Sequence, residues 1–248
     1  MVNDRSWELP DPFRKADGSR ITTVNEWEDQ REYFKKILEE QFYGKMPPRP
    51  DMVRGEQVES KLLWNEEVIY EKVRLFAGSS EQVAFNVHVY RPNANGQRIC
   101  VVIPGGDKLD RKILRMAVQQ GVAVLSYEIE EAAPDDRDRW NQGGCGKAYP
   151  EYTWRALAMW AWLASRVVDW LETQSFADMK KVVVTGHSRM GKMAVCCGIY
   201  DERIAVTAPA GSGCGGMASL RLNGGRLGEN VGRAERIGVM LRKDNFYY

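Results

Sequence analysis

A helix is predicted over residues 25–42. Thr23 and Glu26 form a capping-box pair ahead of it, and Gly44, Pro47 and Pro48 stop it. Three strand-like runs follow, at 58–64, 68–76 and 83–90. In the third, Val83, Phe85, Val87 and Val89 alternate onto one face and leave Ala84, Asn86, His88 and Tyr90 on the other. These runs make an antiparallel entry to a sheet. From residue 99 the pattern changes to strand alternating with helix. A strand over 99–103 ends in Pro104-Gly105-Gly106, a helix covers 112–119, and a strand covers 122–127. A loop rich in Asp, Gly and Pro spans 130–150. The long helix 152–172 carries Trp154, Trp160, Trp162 and Trp170, which read as core. Strand 181–185, helix 191–199 and strand 204–208 complete the order. Alternation of this kind implies parallel pairing with right-handed crossovers. The expected fold is a doubly wound α/β class, with a mostly parallel sheet and antiparallel N-terminal strands.

Residues 1–22, with Pro10, Pro12 and Gly18, read as an extended arm. No repeat or low-complexity linker divides the rest, so residues 1–248 read as a single α/β domain, a size that suits one large domain. The composition, 44% hydrophobic and 28% charged, is that of a globular protein. A net charge of +1, with both signs interspersed, gives no support for nucleic-acid or membrane-surface partners. No apolar run reaches the roughly 20 residues needed to span a bilayer. The first residues contain no apolar segment of a secretory signal. Cys100, Cys145, Cys196, Cys197 and Cys214 contain no C-x-x-C pair, which argues against metal chelation. They read as free structural thiols, with one disulfide left open.

The chemistry concentrates at Val182-Val183-Val184-Thr185-Gly186-His187-Ser188-Arg189-Met190-Gly191-Lys192. A β-branched run stops at a glycine, a serine follows, and a helical pattern begins within two residues. That is the pattern of a nucleophile elbow, a sharp strand-to-helix turn that lifts a serine hydroxyl clear of the backbone. The alternative is that Ser188 only caps the helix. The backbone N–H of Arg189, at a helix N-terminus, would help bind an oxyanion. Gly105 and Gly106, in the loop after an earlier strand, are candidates for the second donor. Met190 stands where the generic G-x-S-x-G motif has its second glycine. Read alone, Arg189 and Lys192 are surface residues. A serine nucleophile needs a base, and no histidine lies between Ser188 and Tyr248. The elbow would point His187 elsewhere, and His88 is placed on an early strand far from it.

The run from Gly186 to Lys192, with Asp201-Glu202-Arg203-Ile204-Ala205 and Ser212-Gly213-Cys214-Gly215-Gly216, resembles the glucuronoyl esterases, which are α/β-hydrolase carbohydrate esterases. Some bacterial relatives are labelled acetylxylan esterases. Leu9-Pro10-Asp11-Pro12-Phe13, Asp17-Gly18, Trp27, the stretch from Ala156 to Trp162, and Ser165-Arg166-Val167 are similar as well, so the resemblance runs along nearly the whole chain. It implies that Ser188 is the nucleophile, that Arg189 helps bind the oxyanion, and that Lys192 contacts hydroxyls of a glucuronate ring. It implies hydrolysis of (4-O-methyl-)glucuronoyl esters of glucuronoxylan through an acyl-enzyme, with no metal or organic cofactor. Export to plant cell walls is also implied, although no signal is visible. Two positions depart from the family pattern. Gly211 stands where many members carry the triad acid, and Ala210 where some carry a sugar-contacting glutamine. The histidine and the acid are therefore expected beyond Tyr248, with the last strands missing, little activity from this chain alone, and self-association through the exposed sheet edge. An acetylxylan esterase and a non-catalytic carbohydrate-binding pseudo-enzyme remain the alternatives.

Overall fold

The computed structural model describes residues 9–78, 81–94, 98–106 and 108–218. Its centre is one seven-stranded sheet. The strands are β1 (Arg54–Leu63), β2 (Val68–Ala77), β3 (Val83–Pro92), β4 (Ile99–Pro104), β5 (Ala123–Tyr127), β6 (Ala177–His187) and β7 (Val206–Ala210). Their spatial order is β1-β2-β3-β5-β4-β6-β7. Pairing is antiparallel from β1 through β3 to β5 and parallel among β5, β4, β6 and β7, as the change of pattern at residue 99 foretold. The α/β class and the antiparallel start are both present.

The alternation in β3 sets the sheet's faces. Val83, Phe85, Val87 and Val89 are completely buried, and they meet the helix α4 (Ala156–Leu171) in the main core. Every residue of α4 except Ser165 is buried. A helix apolar all round has nowhere else to go. Trp154 and Trp160 fill the core with it, and the Trp160 indole donates to Ala133 O at 2.7 Å. The opposite face is covered by α2 (Arg111–Gln119), whose Leu114 and Val118 pack on Val68 and Val124.

The first helix, α1 (Val24–Leu38), begins at the expected capping box, with Thr23 accepting from Glu26 N. It closes with a π-helical turn over Glu39–Tyr43. Residues 9–22 depart from an extended arm. Arg14 pairs with Arg20, and Ile21 N donates to Phe13 O, so the segment folds back on itself around Asp17-Gly18. The 130–150 stretch is also more ordered than a plain loop, since it holds the short helix α3 (Gly144–Ala148). None of the five cysteines is in a disulfide, and four of them are buried.

The chain moves from β4 outward to β5 and then returns to the other side of β4 to form β6. Neighbouring strands whose connections leave in opposite directions open a crevice at their carboxyl ends. Pro104-Gly105-Gly106 and Ser188 lie at those ends.

Candidate active site

Ser188 joins β6 to α5 (Arg189–Tyr200) in a single residue with φ 56° and ψ −119°. A residue with a β-carbon costs about 1–3 kcal/mol in such a conformation, and it persists only where its surroundings enforce it. The enforcement is visible. Ser188 N–H donates to Ala210 O at 2.9 Å, and Ser188 O accepts from Lys192 N at 3.0 Å. A Cβ on Gly186 would stand 2.4 Å from the Met190 carbonyl, and one on Gly191 would stand 2.7 Å from Ala210 O. Only glycine lets strand and helix cross this closely. Met190 fits in place of a second glycine because its sulfur runs under Gly105, 2.8 Å from where a Cβ would lie. The Ser188 side chain makes no capping hydrogen bond. The capping alternative therefore fails, because a positive φ turns the hydroxyl away from the first-turn amides.

A cleft of about 530 Å³ opens here, with Gly105, Gly106, Ser188, Arg189, Glu128 and Asp135 among its lining residues. Gly105 and Gly106 are not equivalent as donors. Gly105 N–H is already bonded to Thr185 O at 3.1 Å, continuing the parallel ladder. Gly106, with φ 78°, stands beyond the last rung. Arg189 Nη1 contacts Asp135 Oδ1 at 2.5 Å, with the guanidinium half exposed. Lys192 corrects the surface reading, for it is 1% exposed and its Nζ donates to Ser212 O at 2.5 Å. It is not among the cleft's described lining residues.

Neither histidine hydrogen-bonds to Ser188 among the described residues. His187 lines the cleft, but its ring lies toward Gly211, where an added Cβ would come 3.1 Å from Nε2. His88 is held from both sides, with Nδ1 3.0 Å from the Tyr70 hydroxyl and Nε2 2.9 Å from Glu128 Oε1. Glu128 can only accept, so His88 carries its proton on Nε2. Glu128 also receives Lys72 Nζ at 3.0 Å and Asn86 Nδ2 at 2.7 Å. Burial alone would raise its pKa, but the donors from Asn86, Lys72 and His88 outweigh that and hold it below the usual carboxylate range. His88, expected far from the elbow, is thus one contact from the cleft. Among the described residues no three His, Cys, Asp or Glu side chains gather as a metal site.

Glu128 and Asp135 were not anticipated from sequence. Glu128 had a usable signal, being the first residue past the carboxyl end of a parallel strand. Asp135 had none, since 54 residues separate it from Arg189.

The family model for glucuronyl esterase, fungi, matches residues 76–242. The chain belongs to the glucuronoyl esterase family. It is 30% identical over 239 residues to the 4-O-methyl-glucuronoyl methylesterase of Neurospora crassa, covering 93% of this chain and 56% of that protein. It is 31% identical over 242 residues to the enzyme of the same name from Thermothelomyces thermophilus, covering 94% and 56% respectively. The chain therefore spans little more than half the length of these relatives. Among solved structures, a glucuronoyl esterase mutant from Sporotrichum thermophile, in complex with methyl 4-O-methyl-beta-D-glucopyranuronate, superposes with a TM-score of 0.67. It shares 28% identity, covering 88% of this chain and 56% of that one. A glucuronoyl esterase from Solibacter usitatus gives a TM-score of 0.81 at 22% identity, covering 95% and 71%, and attests the fold. These likenesses place the chain in an α/β-hydrolase-like carboxylic ester hydrolase family.

Proposed function

We propose that this glucuronoyl esterase chain binds and acylates on (4-O-methyl-)glucuronoyl esters of glucuronoxylan, with Ser188 as the nucleophile. Ser188 Oγ attacks the ester carbonyl, the alcohol departs, and water hydrolyses the acyl-enzyme. The oxyanion is met by the Arg189 backbone N–H at the start of α5, by Gly106 N–H and by the Arg189 guanidinium. Lys192, bonded to Ser212 O, is assigned to the sugar side of the site. The observation that carries this reading is the strained Ser188 conformation at the wall of the cleft, with no capping bond to explain it. Both histidines of the sequence are engaged or unbonded to Ser188. The chain by itself is therefore expected to bind its ester far better than it turns it over.

Benzyl glucuronate followed by intact mass measurement tests this. A slow acyl adduct that disappears in Ser188→Ala is the expected result. An adduct that persists in Ser188→Ala would defeat the assignment. Binding of acetylated xylooligosaccharides but not of uronate esters would favour the acetylxylan reading. Binding without any adduct would favour the carbohydrate-binding one. Relatives named for glucuronoyl esters support the uronate substrate. We also infer self-association through β7, one of the two outer strands of the described sheet, where Val206 is 52% exposed. A monomer in light scattering at high protein concentration would exclude it.

A further inference from the structure

The Arg189–Asp135 contact is a built feature of the cleft. Asp135 sits on a stretch fastened into the core immediately before it. Ala132 and Ala133 are fully buried and Pro134 is buried. Ala133 O accepts from the buried Trp160 indole at 2.7 Å, and Cys145 N donates to Ala132 O at 2.8 Å. The carboxylate is thus delivered from a rigid anchor, while Arg189 springs from the first turn of α5. The two meet at 2.5 Å inside the same cleft as Ser188.

The pairing has a consequence for charge. Among the described lining residues the carboxylates Glu128, Glu130 and Asp135 outnumber the cations Lys108 and Arg189. Glu128 is matched by Lys72. Asp135 matches Arg189. A guanidinium has five N–H donors, and one nitrogen here is taken by Asp135. The others remain to meet an oxygen of the ligand, while the group's net charge toward an approaching anion is largely cancelled. A neutral uronate ester loses nothing by this cancellation. The free uronate, whose carboxylate would otherwise be drawn to Arg189, loses its main attraction. Charge develops on the ester oxygen only after Ser188 attacks, at a short distance from donors already held in place.

We propose that Asp135 is a positioning and specificity-determining residue. It pins Arg189 at the cleft and sets the site to take a neutral uronate ester in preference to the free acid. This inference rests on the uronate-ester reading of the site.

The test uses the chain with Ser188→Ala to block turnover, and compares methyl D-glucuronate with D-glucuronate by NMR titration. Adding Asp135→Asn is expected to tighten glucuronate binding about three- to tenfold. The ester should move less than about twofold, and Asp135→Glu should retain the preference for ester. The Arg189 Nε–H resonance provides a readout independent of ligand. It should be immobile with Asp135 or Glu at this position and mobile with Asn, an effect that a merely structural aspartate would not produce. An unchanged ratio of acid to ester affinity, with ester binding intact, overturns the specificity assignment alone. An Arg189 signal unaffected by Asp135→Asn overturns the positioning role. Failure of the ester to bind at all overturns the substrate reading and this inference together.

Discussion

The two ends of α5 each carry an arginine–carboxylate cluster, and they are built on opposite principles. At the N-terminal end, Arg189 and Asp135 meet in an open cleft, with the guanidinium half exposed. At the C-terminal end, Arg203 forks onto Asp201 with Nη2···Oδ2 2.8 Å and Nε···Oδ1 2.9 Å, and its Nη1 reaches Asp169 at 2.7 Å and Glu172 at 2.9 Å. Asp169 is almost wholly buried and is also approached by Arg49 and Arg166. Arg166 Nε comes within 2.5 Å of Asp169 Oδ2, yet the hydrogen is out of line and its buried Nη1 has no partner among the described residues. Burial pushes the Arg166 pKa below its ordinary value despite Asp169. The far end thus ties α4, α5 and the entry to β7 together through charges that cannot be solvated if one is lost. The near end holds its charges where water and ligand can replace them. The same residue types are locked into the interior at one pole and left open to water and ligand at the other, and burial decides which.

Asp169→Ala should break this symmetry of parts most severely. It strands Arg166 in the interior, removes one of the three carboxylates that Arg203 holds, and should cost about 3–5 kcal/mol in urea unfolding. A loss below 1 kcal/mol would mean that water reaches the cluster. The pH dependence follows the same cluster. Burial opposes ionisation of Asp201, but the Arg203 hydrogen bonds outweigh it and hold the folded pKa below the ordinary value. A depressed carboxylate pKa contributes stability above the unfolded value of about 3.9, and the contribution fades as pH falls through the folded value. Asp201→Asn should therefore flatten the acid limb of a stability–pH curve, and an unchanged limb would contradict the assignment. At the cleft end the sign reverses. Ser188→Gly relieves the positive φ and should leave stability unchanged or raise it by up to about 1 kcal/mol, while removing the hydroxyl. A clear loss of stability would show that the turn is not strained. The smallest effect belongs to Asp135→Asn, expected below about 1 kcal/mol because the pair is solvent-screened. A loss as large as that of Asp169→Ala would erase the distinction between the two ends.

The elements were legible wherever a local pattern sufficed. The strand of Val83, Phe85, Val87 and Val89, the Thr23–Glu26 box, the tryptophan-rich helix and the elbow all rest on neighbours within a few residues. The misses depended on distant partners. Lys192 reads as a surface lysine until Ser212 O is brought to its ammonium from 20 residues away. The strand β6 begins at Ala177, earlier than expected, because polar Asp178, Lys180 and Lys181 mask a segment that pairs irregularly with β4. Gly105 and Gly106 look alike in sequence, and only the ladder bond to Thr185 separates them.

The amino-acid sequence alone determined the class of fold, the position of the elbow serine and, through motifs spread along the chain, the family, because periodicity, turn glycines and the elbow pattern are properties of short stretches. The tertiary structure alone decided which charges are buried, which glycine still has an amide to offer, and that Asp135 stands against Arg189. Those are matters of dielectric environment and of distance between residues far apart in the chain, and a linear pattern carries neither.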